Sequence, residues 1–492
     1  MKYTFKKEAS IGKNVVNIFF INDLNSIHKC LEQYHKQIVG NLKISSNFQC
    51  KYGEAEIVSI EINGEFKKLI FYGLKSSKKL SREKICNMGG KIATQLNSMK
   101  IVDAEIFVEE EDDFISAILE GIKLKNYSFN KYFDNKKSKH KLYLDHVIVS
   151  TDRDNAKLEE LFREREVIVN STLFARDLVS EPGNKLTPKD FVHVCENLKE
   201  LGVKVTVLEK SKLEELKMNA ILAVAQGSIN EPYVVIMEWI GNKDLKSEPP
   251  IVFVGKGVTF DSGGINLKPS GPSIALMKYD MGGAAAVTGL LKSLAERNAK
   301  VNVIGAIGLA ENMPSSNAQR PGDVITSMSG QTIEVDNTDA EGRLLLADVM
   351  WYTQEMYKPK ILIDLATLTG SIVVALGDKK AGMFSNSDEL SKKLHDVGED
   401  VGEKLWRLPI EDCYDGMINS NIADISNTGK RGAGSITAAQ FLHRFVKDEK
   451  CEWAHLDIAG VNWLDNGNSI SPKGATGYGV RLLNEFLIKN YE

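Results

Sequence analysis

From residue 189 onward, short apolar β-branched runs alternate with stretches of helical spacing, and few folds accept that pattern. Residues 189–201, 282–297, 344–356 and 437–446 read as helices. Residues 204–208, 233–239, 251–254, 301–309 and 361–365 read as strands, and their near-continuous apolar character is that of strands covered on both faces. The alternation predicts an α/β domain with a mainly parallel central sheet covered by helices. Ligands in such sheets sit beyond the carboxyl ends of the strands. Residues there therefore carry most of the functional information.

At 492 residues the chain exceeds what one hydrophobic core organises, so two domains are expected, 1–165 and 166–492. The first reads as a smaller mixed α/β domain. Residues 56–62 and 65–72 flank Asn63-Gly64, a two-residue hairpin signal. Helical spacing follows over 85–99, strands over 101–108 and 146–150, and a long helix over 155–179. The acidic run 109–113 and the basic run 131–141 read as solvated loops.

Apolar content of 43% and charge of 26% are those of a soluble globular protein, and a net charge of −4 gives no reason to expect nucleic acid or an anionic membrane. Six cysteines lie scattered without a CxxC pair, which suits reduced thiols in a cytoplasmic setting. Lys2, Lys6 and Lys7 precede the apolar run 15–21, but Asn17 interrupts it and no small-residue cleavage site follows, so no signal peptide is expected. No stretch approaches the roughly 20 apolar residues that span a bilayer.

Two clusters carry the chemistry. The first is Val254-Gly255-Lys256-Gly257-Val258-Thr259-Phe260-Asp261-Ser262-Gly263-Gly264, directly after the strand 251–254. It is no phosphate loop, because GxxxxGK[ST] is absent. Lys268 follows in a Pro/Gly-rich loop, and Asp280 precedes the helix opened by Gly282-Gly283. The second is Asn337-Thr338-Asp339-Ala340-Glu341-Gly342-Arg343-Leu344, between a strand and a helix. If this segment is extended, alternate residues Asp339, Glu341 and Arg343 face one cleft. The competing reading of the octapeptide alone is a solvated turn with Asp339 as N-cap. Four carboxylates cannot stay ionised together without cations, and two divalent ions about 3.5–4 Å apart would resolve the repulsion. With no HExxH among eight histidines, an oxygen-rich site of this kind admits Mn²⁺, Mg²⁺ or Co²⁺ as well as Zn²⁺.

The segments VGKGVTFDSGG, MKYDMGGAAAV and NTDAEGRLLLAD resemble the leucine aminopeptidase family, the cytosolic di-metal exopeptidases. RDLVSEPGNKLTP (176–188), LATLTGS (365–371) and HLDIAG (455–460) carry the resemblance to the C-terminus. It implies that 166–492 is a catalytic metallopeptidase domain holding two divalent ions, Mn²⁺ or Zn²⁺. Asp261 and Glu341 would bridge the two. Lys256, as a neutral amine, and Asp280 would complete the tightly held one, and Asp339 the exchangeable one. Lys268 would stabilise the oxyanion, and Arg343 would hold a bicarbonate ion acting as general base. Met277, Thr367, Gly370 and Ala459 would line a small apolar pocket favouring leucine. The implied activity is hydrolysis of N-terminal residues, preferentially leucine, from peptides with a free amine, through a metal-bridging hydroxide. The implied assembly is a homohexamer, a dimer of trimers. Twelve positions separate Lys268 from Asp280, one more than the resemblance implies, and the stretch 269–273 can absorb the extra residue.

Two other classes are open on the sequence. A nucleic-acid-binding or scaffolding role of the N-terminal domain would draw on the basic run 131–141. A di-metal phosphatase would use a similar carboxylate site, but would need more cationic groups than Lys268 and Arg343.

Overall fold

The computed structural model describes residues 1–7, 15–24, 28–45, 48–62, 64–76, 79–134, 141–244, 248–429, 432–448 and 450–492. The chain divides into two compact units, Met1–Val169 with Gly467–Pro472, and Asn170–Asn466 with Lys473–Glu492.

In the first unit, strands β1 (Lys2–Lys6), β2 (Val16–Ile21), β3 (Ala55–Ile62), β4 (Glu65–Gly73), β5 (Asp103–Phe107) and β6 (His146–Ser150) form one sheet in the order β1-β6-β5-β2-β4-β3. All neighbours are parallel except the β3–β4 hairpin, whose last pair is Ile62 with Glu65. Gly64 supplies the left-handed φ of +79° at the turn, which glycine adopts without steric cost; Asn63 lies outside the described residues. The helices are α1 (His35–Ser45), α2 (Arg82–Ser98) and α3 (Asp112–Lys125), and α4 (Asn155–Ser180) begins in this unit and continues past Val169 into the second. The acidic run is only partly a loop. Asp112 and Asp113 open α3, where carboxylates favour the positive end of the helix dipole. Of the basic run, 135–140 lies outside the described residues.

The second unit contains α5 (Pro188–Glu196), β7 (Lys204–Leu208), α6 (Lys210–Glu215), α7 (Asn219–Ala225), β8 (Tyr233–Ile240), β9 (Ile251–Asp261), α8 (Pro272–Ala275), α9 (Gly282–Glu296) and β10 (Asn302–Asn312). It continues with β11 (Val324–Thr326), β12 (Thr332–Glu334), α10 (Gly342–Tyr357), β13 (Ile361–Ala366), α11 (Gly370–Leu376), β14 (Ala381–Ser385), α12 (Asp388–Val401) and β15 (Leu405–Arg407). It ends with α13 (Asp412–Asp415), β16 (Ile425–Ser426), α14 (Gly434–His443), β17 (Glu452–Asp457) and α15 (Val480–Asn490).

The main sheet runs β15-β14-β17-β13-β9-β10-β8-β7. Its centre, β17-β13-β9-β10, is parallel, as the βα alternation predicts. Antiparallel pairs flank that centre at β14–β17, β10–β8 and β8–β7. Side chains of β9 alternate between two cores. Phe253 joins Leu290, Leu365 and Phe486 on one face, while Val252 and Val254 join Leu345, Phe441 and Trp453 on the other. Burial on both faces explains why 251–254, the first part of β9, reads as an uninterrupted apolar run. Helix α9 lies against the sheet at backbone distance. A Cβ on Gly283 would stand 2.0 Å from the Leu365 carbonyl oxygen, so only glycine permits this approach. It brings Asp280, just ahead of α9, beside the end of β9. Among the described residues no helix is long and apolar enough to cross a membrane.

Candidate metal centre

Strand β9 does not stop at Val254 but continues to Asp261, so Lys256 and Asp261 are strand residues rather than loop residues. Five positions apart, they would ordinarily face opposite ways. Between them the register against β10 slips: Val258 pairs with Ala310, but Asp261 pairs with Asn312. The extra residue in β9 turns Asp261 to the side of Lys256. Gly263 and Gly264, with φ of +89° and +66°, then bend the chain, and the Gly263 N–H donates to Asp261 Oδ1 at 2.8 Å.

The octapeptide is not extended. The Ala340 N–H donates to the Asn337 carbonyl at 3.1 Å, and Glu341 already has helical φ and ψ of −77° and −34°. Its carbonyl accepts from Leu344 and Leu345, so it opens α10. Polar side chains force this turn: Asn337 Oδ1 accepts the Asp339 N–H, and Asn266 Oδ1 accepts the Thr338 N–H, both at 2.9 Å. Alternation along a strand therefore does not unite Asp339, Glu341 and Arg343. The turn and the first turn of α10 present them instead. Gly342 leaves room for a neighbour, because a Cβ there would meet Lys256 Cε at 2.5 Å.

Carboxylate oxygens of Asp261, Asp280 and Glu341 lie within 4.8 Å of one another, and all three residues are buried. Lys256 Nζ is 2.7 Å from Asp280 Oδ2 and 2.9 Å from Glu341 Oε1, and donates to the Thr367 carbonyl at 3.0 Å. Lys268 Nζ reaches Asp261 Oδ2 at 2.8 Å and Asp339 Oδ1 at 2.5 Å. Asp339 thus joins the cluster through Lys268 and stands outside the tight trio.

Burial and the neighbouring Glu341 charge push the Asp280 and Asp261 carboxyls above the usual carboxylate range; their lysines pull the other way. Burial and Asp261 raise Asp339. Burial acts to lower the Lys256 and Lys268 ammoniums, but the surrounding carboxylates outweigh it and hold both above the ordinary lysine value. Burial pushes the Arg343 guanidinium down to about 10, against the attraction of Glu341 and Asp457. Arg343 therefore remains a cation at neutral pH.

The donor set suits divalent cations. Asp280 Oδ2, Glu341 Oε1 and Asp339 Oδ1 are buried and face ammoniums as ion pairs, and among the described residues no well-aligned donor reaches them, so each can offer a lone pair to a metal. Hard carboxylate oxygens with no imidazole fit Mn²⁺ or Zn²⁺. Arg343 suits an anion. One terminal nitrogen, Nη1, donates to the Asn427 carbonyl at 2.6 Å, whereas Nε is buried and has no partner among the described residues.

Of the residues assigned to a side-chain pocket, Thr367 touches the cluster directly, its hydroxyl donating to Asp280 Oδ1 at 2.7 Å. The Met277 carbonyl accepts the Asp280 N–H at 3.4 Å. Gly370 opens α11, and the Ala459 N–H donates to Asp457. His455 is a core residue, with Nδ1 against Asp364 Oδ1 at 2.5 Å, but its Nε2 is buried without a partner among the described residues.

Sequence reasoning missed three residues that build the site. Asn312 Nδ2 donates to Asp261 Oδ1 and to the Thr338 carbonyl, joining β9 to the octapeptide. Asn427 accepts from the Asp336 and Asn337 N–H groups, and donates to the Asn337 and Ala340 carbonyls. Asp457 binds the loop that follows β13. Asn312 and Asn427 act across many residues of sequence and lie in no short motif, and Asp457, within HLDIAG, carries no signal there of its contacts with Leu368 and Thr369.

An α/β unit that gathers carboxylates and lysines around the carboxyl-terminal half of β9 offers the kind of donor set that divalent cations take. The family model described as "Cytosol aminopeptidase family, catalytic domain" matches residues 173–484, and the corresponding N-terminal domain model matches 15–136. The chain is 46% identical over 482 residues to a "Probable cytosol aminopeptidase" of Ehrlichia ruminantium (strain Gardel), covering 97% of this chain and 95% of that protein. It is 46% identical over 501 residues to one of Rickettsia bellii (strain OSU 85-389), covering 99% of each. One of Wolbachia pipientis wMel is 45% identical over 496 residues, covering 100% of this chain and 97% of that protein. The chain belongs to the cytosol aminopeptidase family.

Proposed function

We propose that the protein is a di-metal aminopeptidase that removes N-terminal residues, leucine foremost, from peptides. The observation that carries this reading is the convergence of Asp261, Asp280 and Glu341, buried and braced by Lys256 and Lys268. Asp261 and Glu341 would be shared between two cations, with Lys256 and Asp280 completing one and Asp339 the other. When bound, such cations make water nucleophilic at neutral pH and polarise a carbonyl.

The chain's own groups supply the rest. Lys268, charged and only partly buried, can donate to the oxygen of a peptide carbonyl as it becomes an oxyanion. Arg343 would hold bicarbonate through its unpartnered Nε, placing a proton acceptor near Glu341. Met277, Thr367, Gly370 and Ala459 would receive the side chain of the N-terminal residue. An apolar pocket separates side chains by about 1–3 kcal/mol per methylene, so preference for leucine is graded.

The reading includes a homohexamer, which would cover apolar side chains such as Ile229 and Val374, 96% and 90% exposed in the single chain. A cytoplasmic setting is supported by the names of the relatives. The test is hydrolysis of Leu-Gly-Gly against N-acetyl-Leu-Gly-Gly by the Mn²⁺-loaded protein. Cleavage of the first alone is expected, and equal cleavage of both would refute an exopeptidase that requires a free amine.

A further inference from the structure

Asp457 is the last residue of β17 and is fully buried. Its Oδ1 accepts the Leu368 N–H at 3.1 Å and the Ala459 N–H at 3.2 Å, and its Oδ2 accepts the Thr369 hydroxyl at 2.7 Å. One carboxylate therefore fastens together two loops, the one after β13 and the one after β17. The first carries Thr367 and Gly370, and the second carries Ala459. The same Thr369 oxygen accepts the Ile372 N–H at 3.1 Å and caps α11, so the clamp also fixes where that helix begins. One residue before the clamp, Thr367 binds Asp280 through its hydroxyl and Lys256 through its carbonyl. Asp457 thus binds the two loops that carry Thr367, Gly370 and Ala459.

We propose that Asp457 is a positioning residue that sets side-chain selectivity, by holding the Thr367–Gly370 loop and Ala459 at a fixed spacing. The inference rests on the aminopeptidase reading above. A carboxylate suits this task because it is acceptor-only: it can take three donors from two loops at once. An asparagine of the same shape keeps one acceptor oxygen and places an NH₂ where a second acceptor is needed. Pocket width would then be set by loops no longer tied together, and the loss falls on recognition of the side chain rather than on the chemistry at the acidic cluster.

The experiment compares Mn²⁺-loaded wild type with Asp457→Asn, Thr369→Val and Thr369→Ser on the p-nitroanilides of leucine and alanine, with bound manganese counted in each. For Asp457→Asn the expected result is a rise of KM for the leucine substrate and a fall of roughly tenfold in the leucine-over-alanine ratio of kcat/KM. Its manganese content should stay close to wild type, and its kcat should change by the same factor on both substrates. Thr369→Val, which removes one contact and leaves Asp457 in place, should give an intermediate ratio and keeps the question decidable if Asp457→Asn does not fold. Thr369→Ser keeps the hydroxyl and should retain the wild-type ratio. An unchanged ratio in folded Asp457→Asn or Thr369→Val, or an equal loss on both substrates, would overturn the inference while leaving the aminopeptidase reading intact. A wild type that hydrolyses neither anilide would overturn that reading, and the inference with it.

Discussion

Lys256 and Asp280 are 24 residues apart in sequence, and inside the protein their ammonium and carboxylate stand 2.7 Å apart. The ammoniums of Lys256 and Lys268 offset the repulsion among Asp261, Asp280 and Glu341 in the buried cluster. Replacing Lys256 with methionine leaves Asp280 and Glu341 without their ammonium, while Asp261 keeps Lys268. Breaking a buried ion pair from one side costs about 3–5 kcal/mol. Urea unfolding of chelator-treated Lys256→Met should show a loss of that order, and a loss below about 1 kcal/mol, typical of exposed pairs, would contradict the arrangement.

Lys268 holds a different position. It joins Asp261 to Asp339 and is less buried than Lys256. If it stabilises an oxyanion, Lys268→Met should lower kcat by roughly 10²–10³ with little change in KM, the cost of removing one such donor. Steady-state kinetics on leucine anilide decides this, and a rise in KM at constant kcat would reassign Lys268 to substrate binding.

Asp348, on α10, lies two helical turns beyond the cluster and takes no part in it. Its carboxylate accepts the backbone N–H groups of Ala220, Ile221 and Met328. Burial nevertheless pushes its pKa up to about 7, those donors pulling the other way. A carboxyl whose folded pKa lies above its unfolded value binds protons more tightly in the folded state, so stability falls as pH rises between the two. The window runs from about pH 4 to about pH 7, with a slope of about 1.4 kcal/mol per pH unit from this group. Unfolding measured across that window should show a component that disappears in Asp348→Asn. The same pH dependence in wild type and variant would contradict it.

The parts of the site written in contiguous sequence were legible before any coordinates. The run 251–254 announced a buried strand, and Gly263-Gly264 announced the bend after Asp261, whereas Gly255 and Gly257 lie within β9 itself. What the sequence hid was geometry that depends on distant partners. The slip between β9 and β10 that turns Asp261 inward needs Asn312, 51 residues away. The turn that replaces an extended octapeptide needs Asn266 and Asn427, whose amides carry no periodic signal. Asp112 and Asp113 read as a charged loop because acidic residues look alike in a loop and in the first turn of a helix. The antiparallel flanks of the sheet were likewise hidden, because strand direction is a property of connections rather than of the strands themselves.

The central claim is that the acidic cluster holds catalytic cations, and its most direct test is reconstitution. Protein stripped of metal by chelation should not hydrolyse leucine p-nitroanilide, and Mn²⁺ or Zn²⁺ added back should restore turnover. Glu341→Gln should remain inactive under the same conditions, since Glu341 is one of the three carboxylates that define the cluster. Failure of both ions to restore amide hydrolysis, with cleavage of a phosphate ester appearing in its place, would contradict the account.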